Sequence, residues 1–280
     1  MSAKTTKPPT ATPNGPAEPR PMTVPEFLAA KQRGTKLTML TAYDATLARL
    51  LDLAGVDGIL VGDSLGMVVQ GHDDSLSVTL EEMIYHARMV MRGAKRCLVV
   101  ADMPFMSFQV SPQQAVENAG RLMKEAGVHA VKLEGGVRSA ATIAAIAGID
   151  IPVMAHIGLT PQSVRRLGGF RVQRQAEQLL EEARAVEKAG AFAVVLECIP
   201  AEAAARITAE VKIPTIGIGA GAGCDGQVLV TPDLLGLFDK FKPRFVKRFA
   251  ELGQEVDRAV KDYCREVKEG TFPAAEHGFR

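Results

Sequence analysis

From Thr38 onward the chain alternates two textures. Short runs dense in Val, Ile and Leu occupy 37–44, 58–64, 97–103, 130–136, 151–158, 192–198 and 213–221, with a weaker eighth over 227–232. Unbroken apolar runs mark strands buried on both faces, as in parallel sheets. Between them, over 45–55, 79–94, 111–127, 137–148, 176–190 and 200–211, apolar residues recur at helical spacing. Several of these stretches carry start and stop signals: Thr79 ahead of Glu82, Ser111 followed by Pro112, and Gly55, Gly127 and Gly190 at closing positions. Strand then helix, repeated about eight times in roughly 240 residues, predicts an α/β fold of the (β/α)8 barrel type. The competing arrangement is an open doubly wound sheet. The barrel is expected to form a single domain over 22–280. A last helix is predicted over 244–268, where Phe249, Leu252, Val256, Val260, Tyr263 and Val267 form a stripe that packs on the barrel or on a neighbouring subunit. Residues 1–21 hold six prolines and little to bury, and are expected to be a disordered tail.

Composition narrows the function. Lys plus Arg is 33 against 32 for Asp plus Glu, a net charge of +1 over 280 residues. No whole-molecule field gathers nucleic acid or an anionic membrane, and with no Trp and three Tyr the chain has few platforms for stacking bases. Cys97, Cys198, Cys224 and Cys264 are scattered without a C-x-x-C pair, which fits reduced thiols in the cytoplasm. Asp150, Pro152 and His156 interrupt the longest apolar candidate for a membrane helix, and no signal-peptide core is present. These features point to a cytoplasmic protein.

The apolar strands end in chemistry: Asp44, Asp63 with Ser64, Asp102, Lys132 with Glu134, His156, and Glu197. In a parallel barrel these ends converge on one mouth. Several carboxylates there repel each other at about 4 kcal/mol per pair at 4 Å and an effective dielectric near 20, so a cation is expected among them. Oxygen ligands with room for water suit Mg2+. Asp63 and Asp102 are the stronger candidates, whereas Asp44 reads first as a cap for the helix that follows. Lys132 and Glu134, two apart on one strand, face the same way and form either a structural ion pair or part of the site. His156 is either a satisfied strand-end histidine or a site residue. Gly221, Gly223 and Gly226 have G-x-G-x-x-G spacing, but QVLVTP follows in place of a helix, so a glycine loop allowing close approach is expected over a dinucleotide site.

The segments TAYD, VGDSLGMVVQGHD, ADMPF, KLEGG, MAHIGLTPQSV, GGFRVQ, AVVLECIP, IPTIGIGAG and CDGQVLV together resemble the ketopantoate hydroxymethyltransferase family, over about Thr38 to Val230, and FPAAEHGF is similar to the family's tail. The resemblance implies a Mg2+-dependent barrel in a large homo-oligomer such as a decamer. It also implies transfer of a hydroxymethyl group from 5,10-methylenetetrahydrofolate to 3-methyl-2-oxobutanoate, by way of an enolate. By motif it places Asp63, Asp102 and Glu134 at the metal, with Glu134 reaching it through water. Asp63, Ser64, Asp102, Lys132 and His156 fall at substrate, and Glu197 is the general base. The stretch after Gln173 is about four residues shorter than the family's usual loop. A Mg2+ barrel of the phosphoenolpyruvate mutase and isocitrate lyase type is the alternative enzyme, a scaffold without activity the alternative from another class, and a dehydrogenase using the glycine loop the remaining option.

Overall fold

The structure is a computed structural model that describes residues 21–279. The expected tail over 1–21 therefore lies, but for Pro21, outside the described residues. Eight strands run β1 Leu37–Thr41, β2 Gly58–Val61, β3 Leu98–Asp102, β4 Ala130–Glu134, β5 Val153–Gly158, β6 Ala193–Glu197, β7 Thr215–Ile218 and β8 Gly226–Leu229. They pair in chain order, all parallel, and β8 returns to β1 to close a barrel. The open-sheet alternative is excluded by that closure.

The two faces of each strand meet two different cores. Outward residues such as Val99, Ala101, Val131, Leu133, Ala155 and Val194 pack under the surrounding helices. Inward residues, among them Met39, Leu60, Leu98, Val100, Met154, Val195 and Ile216, fill the barrel. A side chain two positions further along a strand points the same way. Thus Val100 is followed inward by Asp102, Ala130 by Lys132 and then Glu134, Met154 by His156, and Val195 by Glu197. The interior is apolar at the N-terminal end of the strands and charged at the C-terminal end.

The helices sit where the spacing predicts, including Leu80–Gly93 with Thr79 and Glu82 closing a capping box. Asp44 caps the helix Ala45–Ala54 by accepting from the Leu47 amide at 2.8 Å. Asp52 on that helix, 9% exposed, takes up the Arg96 and Cys97 amides at 2.9 and 2.8 Å and the Cys97 thiol, fixing the entry to β3. A helix that periodicity did not reveal, Val24–Arg33, plugs the barrel floor, with Phe27 set edge-on to Phe192 at 5.8 Å. Gly221 has φ +79, and a Cβ there would lie 2.5 Å from that of Ala201. The glycine loop thus admits a neighbouring helix start.

The C-terminal helix differs from expectation. It spans Leu252–Glu269, and 244–251 is not helical. Tertiary hydrogen bonds override local periodicity there: Phe249 N donates to Leu234 O and Leu252 N to Leu235 O, drawing the segment across the barrel mouth. The helix buries no residue against the barrel, and Val256, Val260, Tyr263 and Val267 remain exposed. No described helix is long and apolar enough to cross a membrane.

Candidate active site

The strand ends enclose a cavity of about 360 Å³ at the C-terminal mouth, where barrel enzymes build their sites. Asp63, Ser64, Asp102, Lys132, Glu134, His156 and Glu197 all line it. Seven of the eight strand-end residues singled out from the sequence are therefore brought together, and Asp44, the helix cap, is the exception.

Lys132 and Asp102 form a buried ion pair, about 5% and 4% exposed at their side chains. The second Asp102 oxygen accepts the Asp63 backbone amide at 3.0 Å. Burial disfavours the Lys132 ammonium, but Asp102, Glu134 and Asp63 outweigh it and hold the group charged. Burial, reinforced by Asp102, pushes the Asp63 carboxyl up to about 6. Asp63 Oδ2 accepts from Gln162 Nε2 at 2.9 Å, whereas Oδ1 receives no hydrogen bond from the described residues. Ser64 Oγ and Tyr43 Oη are paired at 2.9 Å.

Glu134 is buried deeply enough that its carboxyl rises well above the usual range, with Asp63 adding to the effect. Its Oε2 accepts the Gln162 amide at 3.0 Å. His156 stands between two carboxylates, 3.7 Å from Glu134 Oε1 and 3.2 Å from Glu197 Oε2. Among the described residues neither ring nitrogen has a hydrogen-bond partner of ordinary geometry. Burial, then Lys132, lowers the His156 pKa, so the ring is neutral near pH 7. Glu197 ends β6 and is followed by Cys198 in the left-handed region at φ 48. Such strain concentrates where a side chain must be aimed. Among the described residues no three His, Cys, Asp or Glu side chains stand as a ready-made metal cage.

Sequence reasoning missed Gln162. One side chain and its own amide bind Asp63, Glu134 and Met103 O, and Gln109 Nε2 donates to its Oε1 at 3.0 Å. Its signal was the TPQS turn directly after β5, which forms a 3-10 helix Pro161–Ser163 and turns Gln162 back over the mouth. The far wall of the cavity was missed too. Phe170 and Val172, in the stretch ahead of the short loop, and Phe238, Phe241 and Phe245 line it.

A closed parallel barrel with buried acidic and basic side chains gathered at one mouth is the architecture of a (β/α)8-barrel enzyme acting on small molecules. Comparison with known proteins gives the particular class. The family model of ketopantoate hydroxymethyltransferase matches residues 21–275, and the chain belongs to that family of transferases. It is 59% identical to the 3-methyl-2-oxobutanoate hydroxymethyltransferase of Enterococcus faecalis over 258 residues, covering 91% of this chain and 94% of that one. It is likewise 59% identical over 262 residues to the enzyme of that name from Clostridium novyi, covering 92% and 95%. Among solved structures, phosphonopyruvate hydrolase in complex with oxalate and Mg2+ superposes with a TM-score of 0.60 at 14% identity, covering 91% of this chain and 93% of that chain. A 2,3-dimethylmalate lyase of the phosphoenolpyruvate mutase and isocitrate lyase superfamily gives 0.57 at 18%, covering 92% and 91%. At those identities the likeness is one of fold.

Proposed function

We propose that the protein adds a hydroxymethyl group to C3 of 3-methyl-2-oxobutanoate, drawing the carbon from 5,10-methylenetetrahydrofolate. The observation that carries the residue roles is the arrangement around His156. Glu197 faces the cavity at 14% side-chain exposure, beside a neutral ring that gives it no aligned hydrogen bond. A carboxylate left free in this way is the group best placed to take the C3 proton. Lys132 stays charged at the cavity wall and suits the substrate carboxylate, and Ser64, oriented by Tyr43, suits a second substrate oxygen. One C–H bond breaks at C3, its proton passing to Glu197, and one C–C bond forms to the methylene carbon, whose two C–N bonds to the folate N5 and N10 break, the nitrogens taking up the C3 proton and one proton of a water. That water supplies the product hydroxyl oxygen, and tetrahydrofolate leaves.

Asp63 and Asp102 fit a hard divalent cation such as Mg2+. They are adjacent, buried and mutually repelling, and Asp63 Oδ1 has no donor. Glu134, held by the Gln162 amide, fits an outer position through water. When bound, the cation would withdraw electrons from the 2-oxo group and make the C3 hydrogen more acidic.

Proton NMR of 3-methyl-2-oxobutanoate in D2O tests these roles. The expected results are C3 exchange that needs Mg2+, product that needs the folate as well, and loss of exchange by about 10²–10⁴-fold in Glu197→Gln. Undiminished exchange in that variant removes Glu197 as base, and product from the oxo acid without folate removes the donor assignment. The exposed stripe on Leu252–Glu269, which the barrel does not cover, supports assembly into a decamer or another large homo-oligomer.

A further inference from the structure

The cavity has two unlike halves. The ends of β2 to β6 supply the charged side described above. Around a closed eight-stranded barrel β8 lies opposite β4, and the segment that follows β8 builds a wall of Phe238, Phe241 and Phe245 together with Leu229 and Val230. One carboxylate stands on that wall: Asp233, half-buried in the short helix Thr231–Leu234.

Among the described residues only its place in the first turn of that one-turn helix favours a charge there. Among the described residues the Asp233 carboxylate has no hydrogen bond and no cation within ion-pair distance. The nearby Arg248 spends its terminal nitrogens on Glu251 and on Phe238 O, at 3.1 Å each, and its buried Nε is unpartnered. Burial raises the Asp233 carboxyl to about 6, with Arg248 only partly opposing it. A half-buried carboxylate on an apolar wall without a protein partner is costly, and marks a place where a ligand can complete it.

The shape of the missing partner follows from the surroundings. Two carboxylate oxygens accept two parallel N–H bonds from donors set side by side on a flat group, and phenylalanine faces favour a planar ring. The oxo acid has no N–H. A reduced folate has one such edge, the N3–H and 2-amino group of its pterin.

We propose that Asp233 recognises the pterin ring of the one-carbon donor by accepting hydrogen bonds from N3–H and the 2-amino group, while the Phe238, Phe241 and Phe245 wall packs on the ring. This rests on the folate reading above. A ring held by its amino edge at β8 turns its far edge, which carries N5, towards Glu197 and Lys132. Asp233 is a specificity residue for the donor.

The test alters ligand and protein together. Tetrahydrofolate and its 2-desamino analogue are titrated against the Mg2+- and oxo-acid-loaded protein, parent and Asp233→Asn, by calorimetry, with circular dichroism to confirm folding. The parent is expected to bind tetrahydrofolate about 10- to 100-fold more tightly than the analogue, the range for one charge-assisted bond. Asp233→Asn is expected to lose at least about tenfold for tetrahydrofolate and little for the analogue, so that the preference collapses. A parent that does not distinguish the two ligands overturns the proposal without any variant. So does a folded Asp233→Asn with unchanged preference. Failure of the folate reading looks different, because the parent then binds neither ligand while C3 exchange persists.

Discussion

Gly158 ends β5 beside Glu197 of β6, and its substitution by alanine tests how closely the base position depends on the barrel backbone. Gly158 has φ +92, and a Cβ there would lie 2.3 Å from the Glu197 carbonyl oxygen and 2.8 Å from Ile199 Cγ2. Ordinary C···O approach is about 3.3 Å, so the two strand ends must part by roughly 1 Å. That movement strains the hydrogen bond from Leu159 N to Glu197 O, 2.9 Å long, worth about 1 kcal/mol net. A side chain at positive φ adds about 1–3 kcal/mol. Gly158→Ala is therefore expected to lose roughly 2–4 kcal/mol of stability. Because a 1 Å displacement of a reacting group is worth about 10²-fold in rate, C3 proton exchange should fall by a similar factor. Denaturant unfolding measures the first, and the NMR exchange assay on the folded variant measures the second. Exchange within threefold of the parent, whatever the stability, would show that Glu197 does not take its position from this contact.

Two further outcomes are expected. Asp52→Ala removes the acceptor for two amides and a thiol and should destabilise the protein by about 2–4 kcal/mol at pH 7. Burial alone would raise the Asp52 carboxyl, but the Cys97 thiol and the Cys97 and Arg96 amides hold it below its ordinary value. Its contribution is thus present above the unfolded value of about 3.9 and fades as pH falls through the lower folded value. A difference between parent and variant that widens in acid, in matched denaturant titrations, contradicts this account. Exchanging Val256, Val260 and Val267 for serine should lower the assembly size seen by sedimentation velocity while the barrel stays folded; an unchanged sedimentation coefficient shows that the stripe is not an interface.

Much of the site was legible because strands have a period of two. Once 98–102, 130–134, 153–158 and 193–197 are recognised as strands, the barrel rule sends Asp102, Lys132, Glu134, His156 and Glu197 to one mouth, and the structure places all five around one cavity. Asp44 was equally legible as a cap, since an N-cap bond is local. Gln162 and Asp233 were not. Gln162 lies four residues past the end of β5 in a short 3-10 helix, and Asp233 follows only the weak eighth run in a one-turn helix, so the direction of each side chain depends on what its segment packs against. The Val24–Arg33 helix escaped for a related reason: only Phe27 and Ala30 of it are fully buried, too few to mark a stripe.

The alternation of apolar runs and helical stretches, the caps and the inward order of the charged strand residues were determined by the sequence itself, because each rests on interactions within a few residues or on strand periodicity. Only the tertiary structure decided which partner each charge has, that 244–251 crosses the mouth when its periodicity favours a helix, and that a carboxylate stands on the phenylalanine wall. Those outcomes join residues far apart in the chain, Asp63 to Gln162 and Leu234 to Phe249 among them, through hydrogen bonds and desolvation that no local pattern records.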